Sequence, residues 1–274
     1  MIKCDQHMHS SFSGDSHTEM IDMINAAYDK NLDIICFTDH YDPLFPSYRK
    51  DEGPIFDLDV PAYIENAKKV RNDESIQSRI KVRLGIELGI YPEIWSLGSE
   101  IINSSPFDFV ILSSHTAKKL DPYFPEYWEN INPVDGMTIY FEEILDNVKN
   151  FNDFDVYGHL DYCARYTETT PEVLDINNYI EIFRAIFKNL VEKGKGIEIN
   201  SGGLRSKLKN FNPSKDILKL YKECGGEIIT FGSDAHNDND IAYGIDLASE
   251  LLTDVGFKYI TAFKERKPEF IKIN

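Results

Sequence analysis

Basic residues are scarce in this chain. Its 29 lysines and arginines stand against 46 aspartates and glutamates, a formal net charge of −17. A surface of that sign repels nucleic-acid backbones and argues against general DNA or RNA binding. Long hydrophobic runs are also missing, and none reaches the roughly 18 residues that a membrane span needs. No basic stretch followed by an apolar one opens the sequence, so no secretory signal is expected. Cysteines number four (Cys4, Cys36, Cys163 and Cys224), far apart and without a C-x-x-C pair. Buried, reduced thiols in a cytoplasmic protein are the expectation. Sequence repeats, low-complexity tracts and linker-like stretches are absent as well, so residues 1–274 read as one domain. Nothing in the composition decides between a monomer and a homo-oligomer.

What is there is enough apolar material for a sizeable core, 42% of residues. Strand-like and helix-like segments alternate along it. "IKCDQH" precedes the helical "TEMIDMINAAYDKN", and "DIICFTDH" precedes "VPAYIENAKKVRND", with Pro61 near the helix start. The series continues through "IKVRLGIEL", "DFVILSSH", "DVYGHLD", "GIEINSGG" and "EIITFGSDAH", each followed by a helical pattern, before a final "YITAF". Two of those helical patterns are long, "LDINNYIEIFRAIFKNLVEKG" and "NDIAYGIDLASELLTDVG". Ser16 and Glu19 form an S-x-x-E pattern, which predicts a capping box on the first helix. Apolar strands between helices imply a parallel sheet covered on its faces. Seven such units predict a distorted (β/α)7 barrel of TIM-like type, with its site at the carboxyl ends of the strands. Two aromatic and proline-rich loops, Tyr41 to Asp57 and Thr116 to Asn132, are candidate rims over that site.

Histidine is sparse too, at seven residues, yet six of the seven fall at strand carboxyl ends. His7 and His9 end the first strand, His40 follows Asp39 after the second, and Glu87 lies in the third. His115 and His159 end the fourth and fifth, with Asp161 and Arg165 just beyond. Asn200 ends the sixth, with Arg205 beyond, and Asp234 and His236 end the seventh. Gathering so many imidazoles and carboxylates in one partly buried pocket is costly unless cations compensate them. Alternate residues of a strand share a face, so H-x-H and D-x-H can each grip one ion. Such ions would also supply the positive charge that a phosphate substrate needs on an acidic protein.

In "DQHMHSSFSGDS", "FTDH", "GIELG", "SSH", "GHLDYCARY", "EINSGGLR" and "GSDAH" the chain resembles the PHP (polymerase and histidinol phosphatase) superfamily, and within it the bacterial histidinol-phosphate phosphatases. The resemblance covers essentially the whole chain. It implies three divalent ions, zinc, iron or manganese. His7, His9, Glu87 and Asp234 would hold the first; Glu87, His115 and His159 the second; Asp15, His40 and His236 the third. It also implies hydrolysis of L-histidinol phosphate to histidinol and phosphate in histidine biosynthesis, through a metal-bridging hydroxide. Another small phosphorylated metabolite or a nucleotide is the alternative substrate. Arg165 and Arg205 would clamp the phosphoryl oxygens. His17 would face the phosphate, and His17, Asp161 or a metal-bound water would protonate the leaving group. Asp39 and Asp161, beside ligands, are expected either to orient them or to make loop hydrogen bonds.

Overall fold

The computed structural model describes residues 2–43, 45, 56–168 and 170–273. Most of the predicted rim between Tyr41 and Asp57 therefore lies outside the described residues. Eight parallel strands form the main sheet: β1 (Cys4–Met8), β2 (Ile34–Phe37), β3 (His40–Tyr41), β4 (Lys81–Gly89), β5 (Phe109–Ser113), β6 (Val156–Tyr157), β7 (Gly196–Asn200) and β8 (Ile229–Gly232). Seven of them run in the order β1-β2-β4-β5-β6-β7-β8, and the two-residue β3 pairs with β4. The sheet almost closes on itself. Met8 bridges Ala235, His9 N donates to Ala235 O and Asp234 N donates to His7 O, at 2.8 and 2.9 Å. The expected seven-stranded barrel is thus the architecture.

Strand register explains which side chains enter the barrel. Val110 and Leu112 of β5 belong to the large core beneath the surrounding helices, whereas Phe109 and Ile111 join a small separate cluster with Cys36, Val156 and Phe263. Alternate residues face opposite sides, so this second cluster fills the barrel interior at its amino-terminal end. Glu87, two residues beyond Gly85 on β4, reaches the interior nearer the carboxyl end, where the polar residues collect. Cys4, Cys36, Cys163 and Cys224 are all free, and the first three are buried. Among the described residues no helix is long and apolar enough to cross a membrane.

Most helices follow their sequence signals. Val60–Arg71 starts with Asp59 accepting from Ala62 N at 3.0 Å and carries Pro61 in its first turn. Pro133–Asn150 starts with Asn132 accepting from Asp135 N at 2.9 Å. Three expectations need correction. The first helix spans Met20–Asp29 and has no capping box, because its cap is Glu19 and the Ser16 hydroxyl donates to His236 O at 2.9 Å. "LDINNYIEIFRAIFKNLVEKG" is not one helix. Asp175 accepts from Asn177 N, a short 3-10 turn covers Ile176–Asn178, and the α-helix runs over Ile180–Glu192. Asp and Asn side chains compete for the backbone in this way, which breaks the helix. The last helix begins only at Ile245, because Ala242 and Gly244 adopt left-handed φ of 55 and 70°.

"YITAF" forms β9 (Tyr259–Lys264), which pairs antiparallel with β10 (Lys267–Lys272). The two-residue turn, Glu265 and Arg266, has φ of 50 and 63°, as a tight hairpin requires. This hairpin plugs the amino-terminal mouth. Phe263 stacks on Phe109 at 4.9 Å, and Arg266 pairs with Asp155 at 2.5 Å.

Candidate metal centre

At the opposite mouth, six imidazoles and three carboxylates converge around Glu87. Its Oε2 lies 3.0 Å from His7 Nε2, 3.5 Å from His9 Nε2 and 3.0 Å from His40 Nδ1. Its Oε1 lies 3.2 Å from His115 Nε2 and 2.8 Å from His159 Nε2. The two oxygens therefore address two different groups, as a bridging carboxylate would. Asp234 Oδ1 stands 3.7 Å from His7 Nε2 and 3.4 Å from His9 Nε2. Asp15 Oδ2 stands 3.1 Å from His236 Nε2 and 3.6 Å from His40 Nε2. The nine residues expected to ligate metal lie together at this mouth.

Asp234 occupies this place in a left-handed conformation, φ 56°. That is uncommon for a residue with a Cβ and concentrates at functional sites. Its carbonyl oxygen accepts from Arg205 Nη2 at 2.9 Å, which braces the unusual turn.

Further polar residues aim the histidines. Glu198 Oε1 lies 2.6 Å from His7 Nδ1, and Asp42 Oδ2 meets His115 Nδ1 at the same distance. Asp39 accepts from the backbone N–H of Ser10 and Ser13 and from the Ser13 hydroxyl, whose oxygen lies 3.1 Å from His9 Nδ1. Asp39 thus holds the loop and reaches His9 through the Ser13 hydroxyl.

The donor set fits divalent cations. His7 Nε2 and His9 Nε2 face each other at 3.1 Å, and a single proton between them could satisfy only that pair. Among the described residues, His40 Nδ1, His159 Nδ1 and His236 Nε2 are buried without a hydrogen bond of good geometry. Among the described residues, four groups of three place ligand atoms close enough to share an ion: His7, His9 and Glu87; Glu87, His115 and His159; His9, His40 and His236; His40, Asp42 and His115. Burial alone would lower the pKa of His40, but Glu87 and Asp15 outweigh it and hold the imidazole up to about 9. Burial pulls His159 down, and it pulls His9 well below the ordinary histidine value, with His236 and His40 adding to the effect. Burial would raise the Asp15 carboxyl, but His40 and His236 hold it well below the usual range. Cations at these points would replace the protons and relieve the crowding.

An open cavity of about 170 Å³ lies over the cluster. Arg165 forms part of its wall, together with Asp42 and Asp121; Phe45, Phe56, Tyr162 and Tyr166 supply aromatic surface. Arg165 is fixed by Asn212 Oδ1 at 2.8 Å, Asn200 Oδ1 at 2.9 Å and Asp234 Oδ2 at 3.3 Å. The other sequence candidates lie outside this wall. Arg205 is held behind Asp234, its Nη2 on the carbonyls of Ser233 and Asp234, while its Nη1 is buried without a partner among the described residues. Asp161 is buried, accepting from Asn212 Nδ2 at 2.6 Å and Ser214 N at 3.2 Å, with burial raising its pKa to about 6. His17 is exposed on the loop before the first helix. Asp121, in the loop Thr116 to Asn132, was not a sequence candidate. Neither were Glu198 and Asp42. A carboxylate at an inward strand position was the available signal for Glu198; for Asp42 and Asp121 there was none beyond their place in a rim loop.

A parallel barrel carrying a histidine and carboxylate cluster at its carboxyl-end mouth defines a metal-binding hydrolase-type site. The model of the PHP domain matches residues 5–202, and the chain belongs to that family. It is 32% identical over 268 residues to the histidinol-phosphatase of Lactococcus lactis, covering 97% of this chain and 96% of the relative. A Clostridium acetobutylicum protein named as a probable histidinol-phosphatase is 30% identical over 256 residues, with 93% and 94% covered. The crystal structure of the Lactococcus lactis histidinol phosphate phosphatase, complexed with zinc, L-histidinol and phosphate, superimposes with a TM-score of 0.87 at 31% identity, over 97% of this chain and 98% of that one. A Listeria monocytogenes structure shares the fold, with a TM-score of 0.75 at 19% identity.

Proposed function

We propose that this protein is a single-domain, metal-dependent phosphomonoesterase that hydrolyses L-histidinol phosphate to L-histidinol and phosphate. The observation that carries the reading is the nine-residue cluster around the two-sided Glu87, with Arg165 in the wall above it. The curated relatives support it, and so does the zinc, histidinol and phosphate complex of the Lactococcus lactis protein.

Three divalent ions fit the donor set. His7, His9, Glu87 and Asp234 would hold one, Glu87, His115 and His159 the second, and Asp15, His40 and His236 the third. Zinc is the first candidate among ions that histidine and carboxylate ligands accept. Bound there, such ions supply Lewis-acid charge and activate water for attack on phosphorus.

The chain's own residues do the rest. Arg165 offers its planar fork to the phosphoryl oxygens, already held in place by Asn200, Asn212 and Asp234. Arg205 keeps Asp234 in its left-handed turn and leaves Nη1 as a spare donor. Asp121 gives the far wall an anionic pole. Its Oδ1 accepts from Tyr123 N at 2.8 Å, and burial raises its pKa to about 6. A protonated amine or imidazole beside it would be welcomed, flanked by the rings of Tyr162 and Tyr166. The cavity thus offers positive charge at one end and negative charge at the other, matching a phosphomonoester with a cationic tail. Asp161, engaged with Asn212 and Ser214, is not a free proton donor, and exposed His17 has no part in this reading.

The test compares L-histidinol phosphate with other phosphomonoesters and nucleotides on protein of measured metal content. The expected result is a kcat/KM for L-histidinol phosphate well above that for an aryl phosphate. Equal rates on all of them, or a preferred nucleotide, would replace the substrate and keep the reaction.

A further inference from the structure

Within the barrel, Glu198 contacts His7 directly and Arg165 through Asn200. It sits at the centre of β7 and is wholly buried. Its Oε1 lies 2.6 Å from His7 Nδ1. Its Oε2 accepts from His159 N at 2.9 Å and from Asn200 Nδ2 at 3.0 Å. Asn200 in turn presents Oδ1 to Arg165 Nη2 at 2.9 Å and to Gly202 N at 2.8 Å. The backbone makes room for this carboxylate. A Cβ on Gly232 would lie 2.0 Å from Glu198 Oε1 and 2.5 Å from His7 Cβ, so any larger residue there would dislodge it.

We infer that Glu198 is a positioning residue that aligns the metal ligand His7 and the phosphate-binding Arg165 together. This rests on the metal and phosphate reading given above. Oε2 already takes two N–H donors, and a carboxylate can only accept at Oε1. The proton between it and His7 then sits on Nδ1, and Nε2 keeps its lone pair for the cation. The same carboxylate takes the Asn200 amide N–H, which fixes that side chain with its carbonyl oxygen toward Arg165. One buried group thereby sets the tautomer of a ligand and the orientation of a guanidinium.

Glu198→Gln separates positioning from mere space-filling. Its carbonyl can still accept from His159 N and Asn200 Nδ2, but its amide then faces His7 Nδ1. His7 must accept there and carry its proton on Nε2, the atom aimed at the ion. Zinc titration by calorimetry should show one equivalent bound roughly 10–100-fold more weakly than in the wild type. Nitrogen-15 NMR of the zinc-loaded wild type should find the His7 proton on Nδ1. Asn200→Ala should keep full zinc stoichiometry while weakening inhibition by inorganic phosphate roughly ten-fold. Unchanged zinc affinity in Glu198→Gln, or a His7 proton on Nε2 in the zinc-loaded wild type, overturns the proposal, and the second measurement decides even if the variant does not fold. Unchanged phosphate inhibition in Asn200→Ala overturns the arginine half. A wild-type protein that takes up no zinc overturns the metal reading itself, and this inference with it.

Discussion

Glu87 turns its two oxygens to different partners, and that division sets what each neighbouring side chain can be. Around Oε2, His40 is held up to about 9 in the metal-free protein, with burial opposing and Glu87 and Asp15 prevailing. Ligation needs the neutral imidazole, so a cation must displace that proton whenever the pH is below about 9. Zinc affinity should therefore rise between pH 6 and 8, with at least one proton released per ion bound near His40. Calorimetry in buffers of different ionisation enthalpy measures both quantities, and an affinity flat across this range would contradict the assignment. Arg165→Ala should lower kcat/KM by roughly 10²–10³, with KM raised and kcat lowered together, because the fork serves both bound phosphate and the transition state. Steady-state kinetics at full metal loading checks it. Asp121→Asn should lower kcat/KM for L-histidinol phosphate while leaving that for a neutral-tailed aryl phosphate close to wild type. A parallel loss on both substrates would remove Asp121 from recognition.

At the scale of elements, the strand ends carried the most information. A parallel strand in a barrel stops where polar residues begin, so His7, His9, Glu87, His115, His159, Asp234 and His236 could be read from chemistry at the ends of apolar runs. Glu198 could not. In "GIEIN" a lone glutamate between isoleucines shows only that one strand face is polar, and its partners His7 and Asn200 are named by closure of the barrel. Asp42 and Asp121 lie on loops, where sequence offers no periodicity to aim them. The β9–β10 hairpin was equally hidden, since its turn uses Glu265 and Arg266 at positive φ where Asn-Gly or Asp-Gly would have announced it. Its Phe263 fills the amino-terminal mouth, at the end of the barrel away from the metal cluster. Phe263→Ala should destabilise the fold by roughly 3–5 kcal/mol in urea unfolding, leaving kcat of the folded fraction near wild type. A loss of kcat without a loss of stability would show that the plug reaches the site.

For the whole molecule, the −17 net charge and the crowded carboxylates of the site act in the same direction. Stripping the cations with a chelator should lower the thermal midpoint by several degrees, and restoring zinc should recover it, because ligand binding to the folded state alone stabilises it. An identical midpoint with and without metal would mean that the cluster is not a linked site.

The barrel closes between β1 and β8, where His9 N meets Ala235 O and Asp234 N meets His7 O. The ligands on either side of that seam are separated by more than two hundred residues of chain. During synthesis the β1 side of that seam emerges early, and the seam cannot close until the β8 segment has left the ribosome. An ion held there as proposed would therefore load late, and once seated it would tie the first strand of the barrel to its last.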